Sequence, residues 1–101
     1  MNKNKLQDNF EVLRKIYKDP KASQREMAED LGFSLGKLNY CLQALKDKGL
    51  VKINTFKEKR NKISYIQYVL TPKGISERTK LTLDFMKRKM KEYDDLKKEL
   101  E

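Results

Sequence analysis

The chain has 101 residues, a length that suits one compact domain. Its formal net charge of +9 favours a polyanionic partner such as nucleic acid, and leaves open an anionic membrane, an acidic protein or a merely basic soluble chain. The surplus lies mainly in residues 1–70, with 15 Lys and Arg against 8 Asp and Glu, whereas residues 71–101 hold 9 against 7.

The residue types that the chain lacks narrow its chemistry. It contains no His and a single cysteine, Cys41, which excludes His-based general bases, His-ligated metal sites and an internal disulfide. No phosphate-binding glycine loop, paired-carboxylate pattern or nucleophile motif occurs, so we expect no enzyme activity, cofactor or metal. Without an apolar signal segment or a run of about 20 apolar residues, we expect a cytoplasmic protein with no membrane partner.

Three helices are predicted in the first half of the chain. Apolar residues at helical spacing indicate a helix over about 4–18, ended by Asp19-Pro20. A capping box predicts a second helix over 24–31, ended by a glycine, and another N-cap predicts a third helix over 35–48. The residues that carry these patterns are Leu6, Phe10, Leu13, Ile16 and Tyr17 in the first helix, Ser23, Glu26 and Gly32 around the second, and Ser34, Leu35, Leu38, Cys41, Leu42, Leu45 and Gly49 in and around the third.

The second and third helices are separated only by Gly32-Phe33-Ser34, and two short helices joined by a tight glycine-containing turn are typical of a helix-turn-helix. Two segments of strand composition follow, at 50–56 and 63–70, around the polar, basic residues 57–62. This pattern predicts a β-hairpin.

Thr71-Pro72 then predicts the start of a helix that continues to Leu100. The predicted fold is mainly α with a small β-hairpin: a winged helix-turn-helix over 1–71, continuous with a long C-terminal dimerisation helix over 72–101.

The third helix carries the first candidate site. With its leucines inward, its polar face can contact DNA, because Lys binds phosphate or guanine, Asn and Gln pair with adenine, and Tyr donates to phosphate or packs on thymine. A solvated helix face is the alternative. Cys41 lies on the inward stripe, where a buried apolar role competes with a redox role. The candidate recognition residues are Ser34, Gly36, Lys37, Asn39, Tyr40, Gln43 and Lys46.

The hairpin tip is the second candidate site. Beside a helix-turn-helix, a basic tip can follow the DNA backbone or enter a narrow minor groove, whereas alone it is equally a solvated turn. The candidate wing residues are Lys57, Lys59, Arg60, Asn61 and Lys62.

The C-terminal helix is the third candidate site. Its apolar residues recur at spacings of three and four, flanked by charges of both signs, which favours a coiled-coil-like contact between two copies. A basic amphipathic membrane helix and a helix folded back on its own domain are the alternatives. The seam consists of Thr79, Leu83, Met86, Met90, Tyr93 and Leu100, interrupted by Lys97, and Leu81, Phe85 and Leu96 widen its apolar side.

Three segments together resemble a known family. The segment SLGKLNYCLQALKDKGLVK at 34–52, the string LTPKG at 70–74 and the tail FMKRKMKEYDDLKKELE at 85–101 resemble MarR-type winged-helix regulators, most of all the short EPS-associated MarR-family transcriptional regulators of bacteria. The resemblance implies a recognition helix at 34–48, a wing at 51–69, sequence-specific binding of double-stranded DNA, a homodimer and a link to exopolysaccharide gene clusters. Here the wing tip reads Glu58-Lys59-Arg60-Asn61, whereas the family has an acidic-then-arginine pattern.

The sequence thus predicts a DNA-binding transcriptional regulator that acts as a homodimer. The alternative is a winged-helix module that binds proteins of the transcription or polysaccharide machinery.

Overall fold

The computed structural model describes the backbone of residues 3–58 and 63–101, and the side chains of residues 5–55 and 66–101. The elements follow in the predicted order, and the predicted fold class is confirmed. They are α1 (Lys3–Lys18), α2 (Gln24–Leu31), α3 (Leu35–Asp47), β1 (Val51–Glu58), β2 (Ile63–Leu70) and α4 (Pro72–Glu99).

Local signals set the helix ends. The hydroxyls of Ser23 and Ser34 each accept a hydrogen bond from a backbone N–H three residues later, at 3.1 Å in both cases. Gly32 and Gly49 follow α2 and α3 with φ of 70° and 74°, in the left-handed region that a side chain disfavours. The tight turn between α2 and α3 is therefore fixed by a glycine on one side and a serine cap on the other.

The core lies where α1, α2, α3 and the start of β1 meet. The inward stripes of α1 and α3 are buried as predicted, except at three positions: Leu6, Tyr17 and Leu35 are exposed. Each lies near a helix end. Leu35 begins α3, and because side chains of a helix tilt toward its N-terminus, it overhangs the core instead of entering it. The buried residues are Phe10, Val12, Leu13, Ile16, Met27, Ala28, Leu38, Cys41, Leu42, Leu45, Leu50 and Val51.

Cys41 belongs to this core. Its side chain is buried among leucines, and burial raises the pKa of its thiol above the ordinary value. Both features disfavour the reactive thiolate. The interpretation of Cys41 as a small buried apolar residue therefore fits the packing better than a redox role.

The hairpin is a regular antiparallel pair. Its register runs from Val51 opposite Leu70 to Glu58 opposite Ile63. β1 extends two residues beyond the predicted strand end at 56. The partly buried Tyr68 and Leu70 pack against the helical core, and Gln67 donates a hydrogen bond to the carbonyl of Pro20 at 2.5 Å. The hairpin is thereby held at its base and on one side by the helices.

The first turn of α4 is hydrogen-bonded to the turn that follows α3. The Thr71 hydroxyl accepts from the Gly74 N–H at 3.0 Å and donates to the Gly49 carbonyl at 2.6 Å. The Thr71 N–H also donates to the Leu50 carbonyl at 3.0 Å. Gly74 approaches the same carbonyl so closely that a Cβ there would lie 1.9 Å from its oxygen. The string LTPKG therefore begins α4 and also fixes its first turn against the turn after α3.

The two halves of α4 have different surroundings. Leu81 packs against the core, the Phe85 ring lies 5.9 Å from that of Phe10, and the Arg78 guanidinium stacks 3.8 Å above the ring of Tyr17. From Met86 onward every side chain is exposed. The molecule measures 65 × 26 × 25 Å as a result. Within the described ranges, no helix is both long enough and apolar enough to cross a membrane.

Candidate nucleic-acid interface

The predicted polar face of α3 is exposed along its whole length. All seven candidate recognition residues are open to solvent, and Tyr40 reaches 57% exposure. α2 packs against the inner side of α3, and the short turn between them leaves the first turn of α3 uncovered. The fold therefore presents the start of α3 outward, where a helix that enters a major groove makes its base contacts.

The N-terminus of α3 can hold an anion. The Ser34 oxygen accepts the N–H of Lys37, so its own O–H stays available to donate to phosphate. The first backbone N–H groups of a helix have no partner within the helix, and Gly36, which has open space around its Cα, lets another backbone approach them.

Lys37 is not a freely extended cation. Its ammonium lies 3.2 Å from the carboxylate of Asp8 on α1 and 4.3 Å from the centre of the Phe33 ring. The side chain is 47% exposed, so water still screens the pair. A Lys–Asp pair presents little net charge to phosphate, so DNA must compete with Asp8 for this lysine.

Tyr40 also has a partner from α1. The ammonium of Lys5 lies 5.0 Å from the centre of its ring, and a hydrogen bond with Tyr40 raises the pKa of Lys5. Lys5 thereby adds a positive charge beside the face of α3. Lys5 could not be predicted from the sequence, because α1 and α3 are brought together only by tertiary packing.

The rest of the face is less constrained. Gln43 donates to Asp47 one turn later at 2.9 Å, which leaves its carbonyl oxygen as an acceptor. Asn39 and Lys46 are exposed on either side of it. Leu35, predicted to lie in the core, is 46% exposed at the start of the helix and adds an apolar surface there. An exposed leucine in the first turn suits the methyl group of thymine.

The candidate wing residues are not brought to this face by anything that the structure describes. Lys57 lies in β1 opposite Ser64, and its side chain is outside the described side chains. Lys59, Arg60, Asn61 and Lys62 lie outside the described residues. Their contact with nucleic acid stays a prediction.

The candidate dimerisation residues lie on α4, the helix that packs on α1. Thr79 is exposed in the half that packs on α1, and the seam continues through Leu83 and Met86 to the exposed Met90, Tyr93 and Leu100. Leu81 and Phe85 pack toward α1, so they belong to the domain and not to the seam.

Known proteins share this architecture. Residues 9–52 match the family model described as winged helix-turn-helix DNA-binding. No curated protein sequence matches the chain.

Solved structures of three bacterial proteins superpose on most of the chain. Staphylococcus aureus MarR in complex with salicylate and kanamycin has a TM-score of 0.69 at 23% identity, over 86% of this chain and 56% of its own. Streptococcus pneumoniae FabT in complex with DNA has a TM-score of 0.61 at 21% identity, over 86% and 58%. The PcaV transcriptional regulator from Streptomyces coelicolor, with its natural ligand, has a TM-score of 0.64 at 18% identity, over 78% and 54%.

The chain spans little more than half the length of these proteins. At this level of identity the likeness establishes the fold. Together with the family model, it shows that the chain has a winged helix-turn-helix fold whose structural neighbours include MarR-family regulators.

Proposed function

We propose that the chain is a sequence-specific DNA-binding transcriptional regulator that reads the major groove with α3. The exposed polar face at the start of α3 carries this proposal, because it combines a helix N-terminus for phosphate with Asn39, Tyr40 and Gln43 for base edges. The wing residues 57–62 add contacts with the backbone or the minor groove. FabT, a structural neighbour, is a protein crystallised with DNA, which supports DNA binding here.

We further propose that the regulator is a homodimer through the second half of α4, so that 1–71 forms the DNA-binding unit and 72–101 the dimerisation element. The exposed seam in the second half of α4 supports this division. The resemblance at 34–52 and 85–101 supports an exopolysaccharide gene cluster as the first target to test.

The test is fluorescence anisotropy with a duplex from upstream of the chain's own operon, a promoter of an exopolysaccharide cluster, and a scrambled duplex of equal length. We expect affinity for one promoter to exceed that for the scrambled duplex, and to fall with salt by about 0.9 log units per log unit for each phosphate contacted. Asn39→Ala is expected to cost about 5- to 150-fold on the preferred duplex and little on the scrambled one. Lys46→Ala should weaken both equally, because phosphate contacts carry no sequence information.

The matched control is Lys91→Ala, which removes the same charge from α4 and should leave affinity close to the wild-type value. Failure to bind any duplex more tightly than about 100 μM at low salt would contradict DNA binding. Binding that non-specific competitor abolishes, together with tight capture of one protein of the transcription or polysaccharide machinery, would support the protein-binding module instead.

A further inference from the structure

The second half of α4 carries an unusual separation of charge. Residues 86–91 contain four basic side chains and no acidic one, whereas residues 92–101 contain five acidic side chains and two basic ones. All of these side chains are exposed. A helix with a basic first part and an acidic second part complements a second copy of itself that runs in the opposite direction.

From this charge pattern we infer that two copies of the chain pair through an antiparallel contact between their α4 helices, centred between Met90 and Tyr93. The inference rests on the homodimer proposed above and adds its geometry. In this register the seam residues face each other as Leu83 with Leu100, Met86 with Lys97, and Met90 with Tyr93, since each pair is placed symmetrically about the same centre.

The antiparallel register also pairs the charges that flank the seam. Lys87 then lies beside Asp94 of the second copy, and Lys80 beside Glu101, and twofold symmetry repeats each pair. A parallel pair in register would instead place Lys97 against its own copy inside the seam. Like charges at that position disfavour the parallel arrangement, whereas the antiparallel one places the Lys97 stem against a methionine.

The seam is accessible to a second helix. At about 100° per residue, Met86 lies roughly 140° around α4 from Leu81, which packs on the core. Leu83 and Met86 are each 52% exposed, and Met90, Tyr93 and Leu100 are more so. A second α4 can therefore reach Leu83 without displacing α1.

The arrangement has a consequence for the domains. With an antiparallel pair, the two winged domains lie at opposite ends, and their Gly74 residues are about 50 Å apart along the helix axis at 1.5 Å per residue. A parallel pair would place the two domains side by side. The direction of pairing therefore decides how far apart two recognition helices can bind.

Disulfide trapping in the full chain tests the direction. Met86→Cys and Lys97→Cys are made as two separate variants, and one of them carries an affinity tag that changes its mass. The native Cys41 is buried, so it should not take part in cross-linking. We expect a cross-link when the two variants are mixed and oxidised, and little when either is oxidised alone, because the two copies of Met86 would lie about 16 Å apart along the axis. Efficient cross-linking of each variant with itself would overturn the inference in favour of a parallel pair.

Charge exchange gives an independent test by sedimentation. Lys87→Glu and Asp94→Lys should each raise the dimer dissociation constant about fivefold, and the double variant should restore it, because the pair is rebuilt with opposite polarity. Lys91→Glu is the matched control off the seam and should not weaken the dimer. A double variant weaker than either single variant would overturn the inference, and so would a wild-type chain that sediments as a monomer. Neither test contains DNA. If they fail, the antiparallel pairing is wrong, but DNA binding is still decided by the anisotropy test.

Discussion

The two halves of α4 differ in charge and in surroundings: residues 72–85 contain five charged side chains, whereas residues 86–99 contain ten. The first half is bonded to the turn after α3 and packed on α1, whereas every side chain from Met86 onward is exposed. The difference follows from position: residues 72–85 lie beside the rest of the chain, and a helix of this length extends beyond so small a domain. The first half should therefore control folding and the second half association.

The largest expected effect is on folding, at Gly74. Gly74→Ala forces a Cβ into the Leu50 carbonyl, which must move together with the Thr71 cap. We expect the free energy of unfolding to fall by about 3 kcal/mol, at the upper end for an overpacked site. Urea denaturation followed by circular dichroism measures this change.

The matched control is Gly36→Ala, where the added Cβ meets open space on another helix. There the helix propensity of alanine should hold or raise stability, by up to about 1 kcal/mol. Equal losses from both substitutions would show that the contact with Leu50 is not what docks α4.

The next effect concerns association, at Met90. Met90→Glu places a charge in the seam of both copies and removes the burial of a methionine, so we expect the dimer to weaken by about 2 kcal/mol, or roughly 30-fold. Sedimentation equilibrium measures the dissociation constant.

Leu96→Glu is the control for this substitution. Leu96 is 62% exposed against 64% for Met90, and it lies about 120° around the same helix. Because Leu96 borders the seam and does not lie at its centre, the glutamate there should weaken the dimer less than Met90→Glu does. If the two variants behave alike, the second half of α4 associates through general hydrophobicity and not through the seam.

A smaller effect is expected at Thr71. Thr71→Ala removes the cap of α4 and the hydrogen bond to the Gly49 carbonyl, so we expect a loss of about 1 kcal/mol in the free energy of unfolding. Thr71→Ser keeps the hydroxyl and should retain most of the stability. A loss that the serine does not recover would indicate that the threonine methyl, and not the hydrogen bonds, holds the helix.

Features that depend on neighbouring residues in sequence could be predicted, and those that depend on distant ones could not. The caps at Ser23, Ser34 and Thr71 act over three residues, and the glycine turns act within one, so the sequence alone locates the helices. By contrast, the sequence alone shows Gly74 only as a residue that disfavours a helix, because its contact with Leu50 exists only in the folded chain. Leu35 has the spacing of a core residue, but its place in the first turn of α3 leaves it exposed.

The same limit applies to the candidate site. The exposed face of α3 could be predicted from periodicity, because one stripe of leucines determines which residues point outward. The partners that α1 supplies could not, since Asp8 and Lys5 lie about 30 residues before the side chains that they contact. The contribution of each predicted residue to DNA binding therefore depends on the charges beside it as well as on its exposure.

The smallest expected effect tests that balance at Lys37. Asp8→Asn removes the carboxylate 3.2 Å from the Lys37 ammonium, which frees the lysine for phosphate. We expect DNA affinity to rise about threefold at low salt, since pairs this exposed are worth little, and anisotropy measures the change.

Asp30→Asn makes the same change of charge at the partner of Lys15, which lies on α1 outside the face of α3, and it controls for net charge. If Lys37 is the cause, Asp8→Asn should exceed this control, and adding Lys37→Ala should abolish the difference. If both asparagine variants gain equally, the effect belongs to the charge of the whole molecule. In that case Asp8 orients Lys37 without restraining it, and the winged end would bind DNA through exposed residues alone.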